Sequence, residues 1–182
     1  DLYQKRLWMF PICINQHWQM VCILDAASPQ HRRIIYFDSS SANSNFPRNM
    51  GVLAEYTMSL VQHTWNYAFP ATAYDNQHRA VRVLSPQQQN GYDCGVHVIL
   101  NAVHLSYKMN LLLDDHDATE FDLNDWYTHE YASNIYRNHV IGSISLQPQA
   151  WLTDDIIHYF LNQTHGTADD IMVFHPSQYT QW

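Results

Sequence analysis

Apolar residues along the chain fall into short runs separated by polar, turn-forming residues. Three of these runs, 7–14, 18–25 and 33–37, are rich in aromatic and β-branched side chains, and we predict a strand for each. The run RAVRVL (79–84) predicts a fourth short strand, and ADDIMVF, near the C-terminal end, predicts a last one.

Longer segments instead show apolar residues at three- and four-residue spacing, which predicts helices over 47–67, 94–108, 122–142 and 152–163. Between two of them lies the acidic stretch DDHDATEFD (114–122). It lacks the central Gly and the terminal Glu of a calcium-binding loop, so we predict a solvated linker there.

Composition limits the function classes. A chain of 182 residues that is 46% hydrophobic can bury one substantial core, so we predict a single domain over 1–182. Its formal net charge is −8, with nine Lys and Arg and no basic run, which argues against a nucleic-acid partner. No stretch approaches the roughly 20 apolar residues that a membrane span needs. Three cysteines, an odd count without a recognisable signal peptide, predict an intracellular location, nuclear or cytoplasmic.

The stretch QQQNGYDCGVHVIL (87–100) places a cysteine between a turn and an apolar helical run. Asn90-Gly91 is a strong turn signal and Asp93 is a good helix cap, so Cys94 should lie in the first turn of the helix. Unpaired N–H groups and the helix dipole there would stabilise a thiolate. The alternative is a structural cysteine, since unpaired Cys is among the most buried residue types.

A nucleophilic thiol needs a base, and the second and third strands offer one. If their turn centres near 28 and 29, antiparallel pairing places His17 within a diagonal step of Asp38. These two residues with Cys94 would form a Cys-His-Asp triad. The alternative is a strand-end His and an unrelated loop Asp; His97 is a rival base, although its position on the same helix favours a packing or polar role.

Zinc is another use of Cys and His side chains, and Cys13, His17 and Cys22 are close in sequence. Cys22 differs in strand parity from Cys13 and His17, and no CxxC pair is present. We therefore predict no metal site.

Three stretches, PICINQHWQMVCI, IIYFDSS and QQNGYDCGVHVI, together resemble the His, Asp and Cys boxes of the SUMO/sentrin-specific proteases, the Ulp-type cysteine peptidases. The resemblance implies that His17 is the general base, Asp38 its orienting carboxylate and Cys94 the nucleophile. It implies no cofactor.

The resemblance also implies an oxyanion-hole glutamine six residues before the cysteine, which is Gln88. Its amide and the backbone N–H of Cys94 would stabilise the tetrahedral oxyanion. Gln87 and Gln89 flank it as alternatives, and Gln89 stands where many relatives have Pro.

In the family, a helix opened by Trp-Leu-x-Asp precedes the His box. In this chain WLTDDIIHYFLNQ (151–163) instead follows YRNHVIGSI, which resembles the closing helix. The resemblance thus implies an α+β, papain-like fold of Ulp type with circularly permuted topology: the His, Asp and Cys boxes and closing helices over 1–145, and the permuted segment over 146–182. The alternative for 151–163 is an ordinary amphipathic helix.

The family binds the tail of a ubiquitin-like protein, ending Gly-Gly, in a narrow tunnel roofed by tryptophans. The matching positions are Trp18 and Trp151, while Asp154 matches a position that contacts the surface of the modifier. Core packing of the tryptophans and a helix-capping role for Asp154 are the alternatives.

The implied function is a monomeric cysteine protease or isopeptidase that cleaves after the Gly-Gly of a ubiquitin-like modifier or its conjugates, with SUMO favoured. Alternatives are a deubiquitinase or NEDD8-like deconjugase, a non-catalytic binding module, and an acyltransferase. The last would need a coenzyme A site, for which the sequence shows no suitable basic cluster.

Overall fold

The computed structural model describes residues 4–14, 16–26, 28, 30–40, 59, 62, 63, 66, 79–144, 152–165 and 170–174. Its strands are β1 (Leu7–Ile14), β2 (His17–Leu24), β3 (Arg33–Phe37), β4 (Arg79–Leu84), β5 (Glu120–Asp122) and β6 (Ile171–Val173). Its helices are α1 (Cys94–Asp114), α2 (Arg137–Ile144) and α3 (Asp154–His165), and a π-helical turn (Tyr131–Tyr136) leads into α2.

The six strands form one mixed sheet in the order β5-β4-β3-β2-β1-β6. The first three strands are antiparallel neighbours, whereas β4 is parallel to β3, β5 to β4, and β6 to β1. All five predicted strands are present. The predicted helix over 47–67 lies outside the described residues, apart from four helical positions.

The core lies between the sheet and α1. Met9, Met20 and Cys22 on one sheet face pack with α1 residues such as Val96 and Ile99. The opposite face of the central strands is buried as well, as the buried Trp8, Phe10, Ile23, Ile34 and Tyr36 show. Burial on both faces explains why these strands are continuous apolar runs without alternation.

Helix α1 extends to Asp114, six residues beyond the end predicted from its spacing. The guanidinium of Arg33, on β3, donates hydrogen bonds to the carbonyls of Leu112, Leu113 and Asp115. Because the last carbonyls of a helix have no partner within the helix, a buried cation there stabilises the end. The pattern of α1 itself contains no sign of this contact.

The predicted linker over 114–122 and the predicted helix over 122–142 both need correction. Residues Glu120–Asp122 form β5, which adds to the edge of the sheet beside β4. The helical part then starts only at 129 and passes through the π-helical turn before α2. A three-residue edge strand forms because a neighbouring strand pairs with it, and the acidic sequence of β5 has no strand pattern of its own. The sequence therefore did not predict it.

No helix in the described part of the chain combines the length and the apolar character that crossing a membrane requires.

Helix α1 packs closely on α3 at Gly95. A Cβ at this position would lie 3.0 Å from the Ile157 Cδ1 and 3.2 Å from the Leu152 Cβ. Leu152 cannot easily move, because the Trp18 indole donates a 2.8 Å hydrogen bond to its carbonyl. We therefore expect Gly95→Ala to lower the free energy of unfolding, measured in urea, by about 1–3 kcal/mol.

The matched control is Gly142→Ala in α2, where an added Cβ meets nothing within 4 Å. There the better helix propensity of Ala should raise the free energy of unfolding by roughly 0.5–1 kcal/mol. A Gly95→Ala protein as stable as the Gly142→Ala protein would contradict the close packing at Gly95.

Candidate active site

His17 and Asp38 lie next to each other where β2 begins and β3 ends. His17 is the first residue of β2, and Asp38 directly follows β3. Met20 pairs with Phe37 near this end of the two strands. The His17 Nε2 lies 2.7 Å from the Asp38 Oδ1. The prediction that hairpin register makes these two residues neighbours is confirmed.

Three further groups hold the Asp38 carboxylate. The Ser40 backbone N–H donates to Oδ1 at 2.9 Å, while the Tyr36 hydroxyl and the Gln19 amide donate to Oδ2 at 3.3 and 3.4 Å. Burial, followed by the charge of Asp38, raises the pKa of Tyr36, so the phenol stays protonated as a donor. Hydrogen bonds of this kind stabilise the ionised carboxylate and fix its direction toward His17.

His17 interacts with Asp38 and Cys94 at the same time. Burial lowers its pKa, but hydrogen bonds to Asp38 and Cys94, with the charges of both, outweigh burial and raise the pKa to about 9. Since Nε2 is engaged with Asp38, Nδ1 is the ring nitrogen left for Cys94. The imidazolium is thus the stable form at neutral pH, the partner that a cysteine thiolate requires.

Cys94 is the first residue of α1 and is 1% exposed. The preceding turn is closed by the Asn90 side chain, whose Oδ1 accepts hydrogen bonds from the backbone N–H groups of Tyr92 and Asp93. The predicted turn and the predicted start of the helix are therefore confirmed.

The predicted capping role of Asp93 is wrong. Asp93 occupies the N-cap position but makes no side-chain cap hydrogen bond. Its carboxylate instead accepts hydrogen bonds from Arg137 at 3.0 Å, from the Asn90 amide at 2.7 Å, and from the Ser133 hydroxyl. The competing buried cation diverts the carboxylate from the helix end.

Gln88 is held in place between β3 and the turn before Cys94. Its Oε1 accepts a 2.6 Å hydrogen bond from the Ser39 hydroxyl, and its Nε2 donates to the Asn90 carbonyl at 2.6 Å. Gln87 donates to the Asp38 carbonyl, whereas the side chain of Gln89 is exposed. The oxyanion role of Gln88 stays a prediction; one amide hydrogen of its Nε2 remains beyond the bond to Asn90.

The implied substrate-binding residues lie differently. Trp18 is buried and its indole N–H bonds to the Leu152 carbonyl, so it joins the core and holds the segment that leads into α3. Trp151 lies outside the described residues. Asp154 begins α3, and its charge contributes, after burial, to the raised pKa of Cys13. Substrate contacts of all three remain predictions.

The parity used above against a zinc site was partly wrong. Cys13 pairs with Trp18, and Cys22 with Met9, so the two cysteines share one sheet face while His17 lies on the other. Odd or even residue numbers identify a sheet face only within one strand, because the register between two strands decides which of their residues share a face. Within the described ranges, no group of three or more His, Cys, Asp or Glu side chains is placed to hold a metal ion.

His97 is fully buried in α1, with its Nδ1 3.0 Å from the Tyr127 hydroxyl. The Tyr127 hydroxyl in turn donates to the Asn101 Oδ1 at 2.9 Å. Burial is the largest cause that lowers the pKa of His97 to about 4, so its ring is neutral at pH 7. This position fits the packing role rather than the role of general base.

The two histidines should shape the pH dependence of stability in opposite directions. His97 has a folded-state pKa of about 4 and an unfolded value near 6.5. Because of this difference, the free energy of unfolding of the protein should fall by up to about 3 kcal/mol as pH falls from 6.5 to 4. His17, with a folded-state pKa of about 9, contributes stability below pH 6.5 that is lost as pH rises toward 9. We expect urea unfolding to show maximal stability near pH 6.5.

Glutamine variants separate the two limbs. His97→Gln should flatten the acid limb alone, and His17→Gln the alkaline limb alone. An acid limb unchanged in His97→Gln would contradict the neutral, buried state of that ring.

Sequence reasoning missed several residues of the site, chiefly Arg137, Ser133 and Ser39. A usable signal existed for Arg137, because an arginine inside the otherwise weakly charged segment YRNHVIGSI calls for a buried acidic partner. The hydroxyl partners had no such signal in the sequence, where serines are common.

Comparison with known proteins assigns the chain to a family. The model of the Ulp1 protease family, C-terminal catalytic domain, matches residues 1–134. A solved structure described as the crystal structure of the de-sumoylating protease is 20% identical, with a TM-score of 0.47. That alignment covers 91% of this chain and 60% of the other, so the chain spans less than two thirds of that protein. The comparison with curated proteins finds no match.

The matched residues include His17, Asp38, Gln88 and Cys94, whereas Arg137 lies beyond the matched range. The chain therefore belongs to the Ulp1 protease family and has the α+β, papain-like fold of its catalytic domain.

Proposed function

We propose that this chain is a cysteine peptidase or isopeptidase that cleaves after the C-terminal Gly-Gly of a ubiquitin-like modifier, with SUMO favoured. One observation carries the proposal: His17 interacts with both Asp38 and Cys94, and Cys94 lies at the N-terminus of α1. Family membership supports a thiol mechanism, and the resemblance of the three boxes favours SUMO over other modifiers.

In the proposed mechanism, the Cys94 thiolate attacks the carbonyl carbon of the terminal glycine. The oxyanion that forms accepts hydrogen bonds from the Cys94 backbone N–H and the Gln88 amide. The His17 imidazolium donates its proton to the leaving amine, which leaves a thioester on Cys94. A water that gives its proton to His17 then hydrolyses the thioester and releases the modifier.

We also propose that 146–182 is a circularly permuted segment. In support, Leu152 packs against Gly95 beside Cys94, β6 pairs with β1, and the family match ends before this segment. The described residues of this segment, 152–165 and 170–174, thus contribute directly to the core around the site.

The function is tested with ubiquitin-like proteins that carry a C-terminal vinyl sulfone or propargyl group. We expect a covalent adduct with SUMO that is absent in Cys94→Ala. Adduct formation with ubiquitin or a NEDD8-like protein alone would reassign the substrate. Binding without any adduct would favour the non-catalytic module, and tight binding of acetyl-coenzyme A would favour acyl transfer.

Gln88 provides a second test. We expect Gln88→Ala to lower kcat by about 10²–10³-fold with a much smaller change in KM, because the lost donor acts on the oxyanion. Gln89→Ala is the matched control, since that side chain is exposed one position away. Equal activity of the two variants in a SUMO-cleavage assay would show that Gln88 does not stabilise the oxyanion.

A further inference from the structure

We propose that Arg137 is a positioning residue for Cys94: it draws the Asp93 carboxylate away from the N-terminus of α1 and neutralises its charge, which leaves the helix end available to the thiolate and the oxyanion. This inference rests on the proposed function, because it concerns how the same cysteine is activated.

The ion pair between Asp93 and Arg137 is buried. The two side chains are 0% and 3% exposed, and the Asp93 Oδ1 lies 3.0 Å from the Arg137 Nη1. The same nitrogen donates to the Tyr92 carbonyl at 3.3 Å, and the guanidinium lies 4.8 Å from the centroid of the Tyr92 ring. Arg137, from α2, therefore contacts both Tyr92 and Asp93, the two residues that precede Cys94.

The second oxygen of the Asp93 carboxylate is also occupied. Oδ2 accepts hydrogen bonds from the Asn90 amide and the Ser133 hydroxyl. Three elements thus hold the carboxylate: the turn before α1, the π-helical turn and α2. A carboxylate satisfied on both oxygens has no need of the helix N–H groups.

The alternative position of this carboxylate would interfere with catalysis. Aspartate is among the preferred N-cap residues, and a cap bond would reach the N–H groups two or three positions on, at Gly95 or Val96. Those donors belong to the same first turn whose positive end favours the Cys94 thiolate. A buried carboxylate without its cation would moreover repel a thiolate on the next residue.

Other titratable groups surround this cluster. His17 from β2 and Cys13 from β1 interact electrostatically with Cys94, while His97 from α1 interacts with Asp93, and His129 lies 3.3 Å from the Ser133 hydroxyl. All of them stay in place in the variants below, so a difference between variants reports the ion pair.

The experiment measures the rate of Cys94 alkylation by iodoacetamide as a function of pH, with the modified residue identified by mass spectrometry. In Arg137→Met, we expect the pH midpoint of alkylation to rise by about one unit or more, and kcat for SUMO cleavage to fall about tenfold or more with little change in KM. In the double variant Asp93→Asn/Arg137→Met, both charges are absent, and the midpoint should return toward the original.

The control variant is Arg33→Met, which removes a buried arginine at the opposite end of α1. It should lower stability without a shift of the midpoint. If Arg137 had only a structural role, the midpoint would be unchanged in Arg137→Met, or the double variant would have a midpoint and a kcat as altered as those of Arg137→Met. Either result would overturn the proposal.

Two milder variants serve if Arg137→Met does not fold. Arg137→Lys keeps the charge and should keep the midpoint, whereas Asp93→Asn leaves the cation uncompensated and should lower it. A midpoint that rises in Asp93→Asn would also overturn the proposal. Because alkylation needs no substrate, a failure of the proposed function appears separately, as wild-type protein that forms no adduct with any ubiquitin-like probe.

Discussion

Replacement of Cys94 by serine should lower the rate of SUMO cleavage by about 10⁴–10⁶-fold, the order of loss found when single members of a catalytic triad are removed. The Ser hydroxyl is far less acidic than a thiol, so no preformed anion stands beside His17, and the protonated ring cannot accept the hydroxyl proton. The measurement is single-turnover cleavage of a SUMO precursor, followed by mass spectrometry.

Cys13→Ser is the control for this prediction. Cys13 is an exposed free thiol that interacts electrostatically with Cys94, so it shares the surroundings of the nucleophile. Its replacement should preserve cleavage to within a few-fold. Cleavage by Cys94→Ser at a rate near that of the Cys13→Ser protein would show that another group is the nucleophile, and the proposed mechanism would be wrong.

Replacement of Asp38 by asparagine should lower kcat by about 10²–10⁴-fold, with the upper end set by the corresponding change in a serine protease. The amide cannot stabilise the imidazolium as the carboxylate does. The pKa of His17 should therefore fall from about 9 toward its ordinary value. Since cleavage requires the protonated ring, the alkaline limb of the kcat/KM profile should move to lower pH in the variant.

Asp25→Asn is the matched control, because Asp25 also pairs with a basic group, the Arg6 guanidinium at 3.0 Å, but lies outside the site. Its alkaline limb should coincide with that of the wild-type protein. An Asp38→Asn protein with an unshifted limb and kcat within tenfold of the wild type would show that Asp38 does not tune His17.

The sequence allowed the central part of the fold and the site to be predicted because those features depend on short-range rules. Strands buried on both faces are continuous apolar runs, so β1, β2 and β3 could be located. A short hairpin then determines register, and register brought His17 to Asp38. The Asn90 turn likewise acts within four residues of Cys94.

Prediction failed where a distant partner competed with a local preference. Asp93 has the propensity to cap α1, yet Arg137, 44 positions along the chain, takes its carboxylate. Arg33 extends the far end of α1 from 79 residues away, and β5 is a strand only because β4 lies beside it. A single sequence carries no record of which side chains meet across such distances.

By itself, the sequence determined the positions of five of the six described strands, the turn that delivers Cys94 to a helix start, and the pairing of His17 with Asp38. Each of these features follows from residues joined by a short apolar run, a tight turn or one hairpin. Only the tertiary structure decided where the Asp93 charge is neutralised and which backbone carbonyl Trp18 holds, because these contacts join residues 44 and 134 positions apart, and packing of the whole core brings them together.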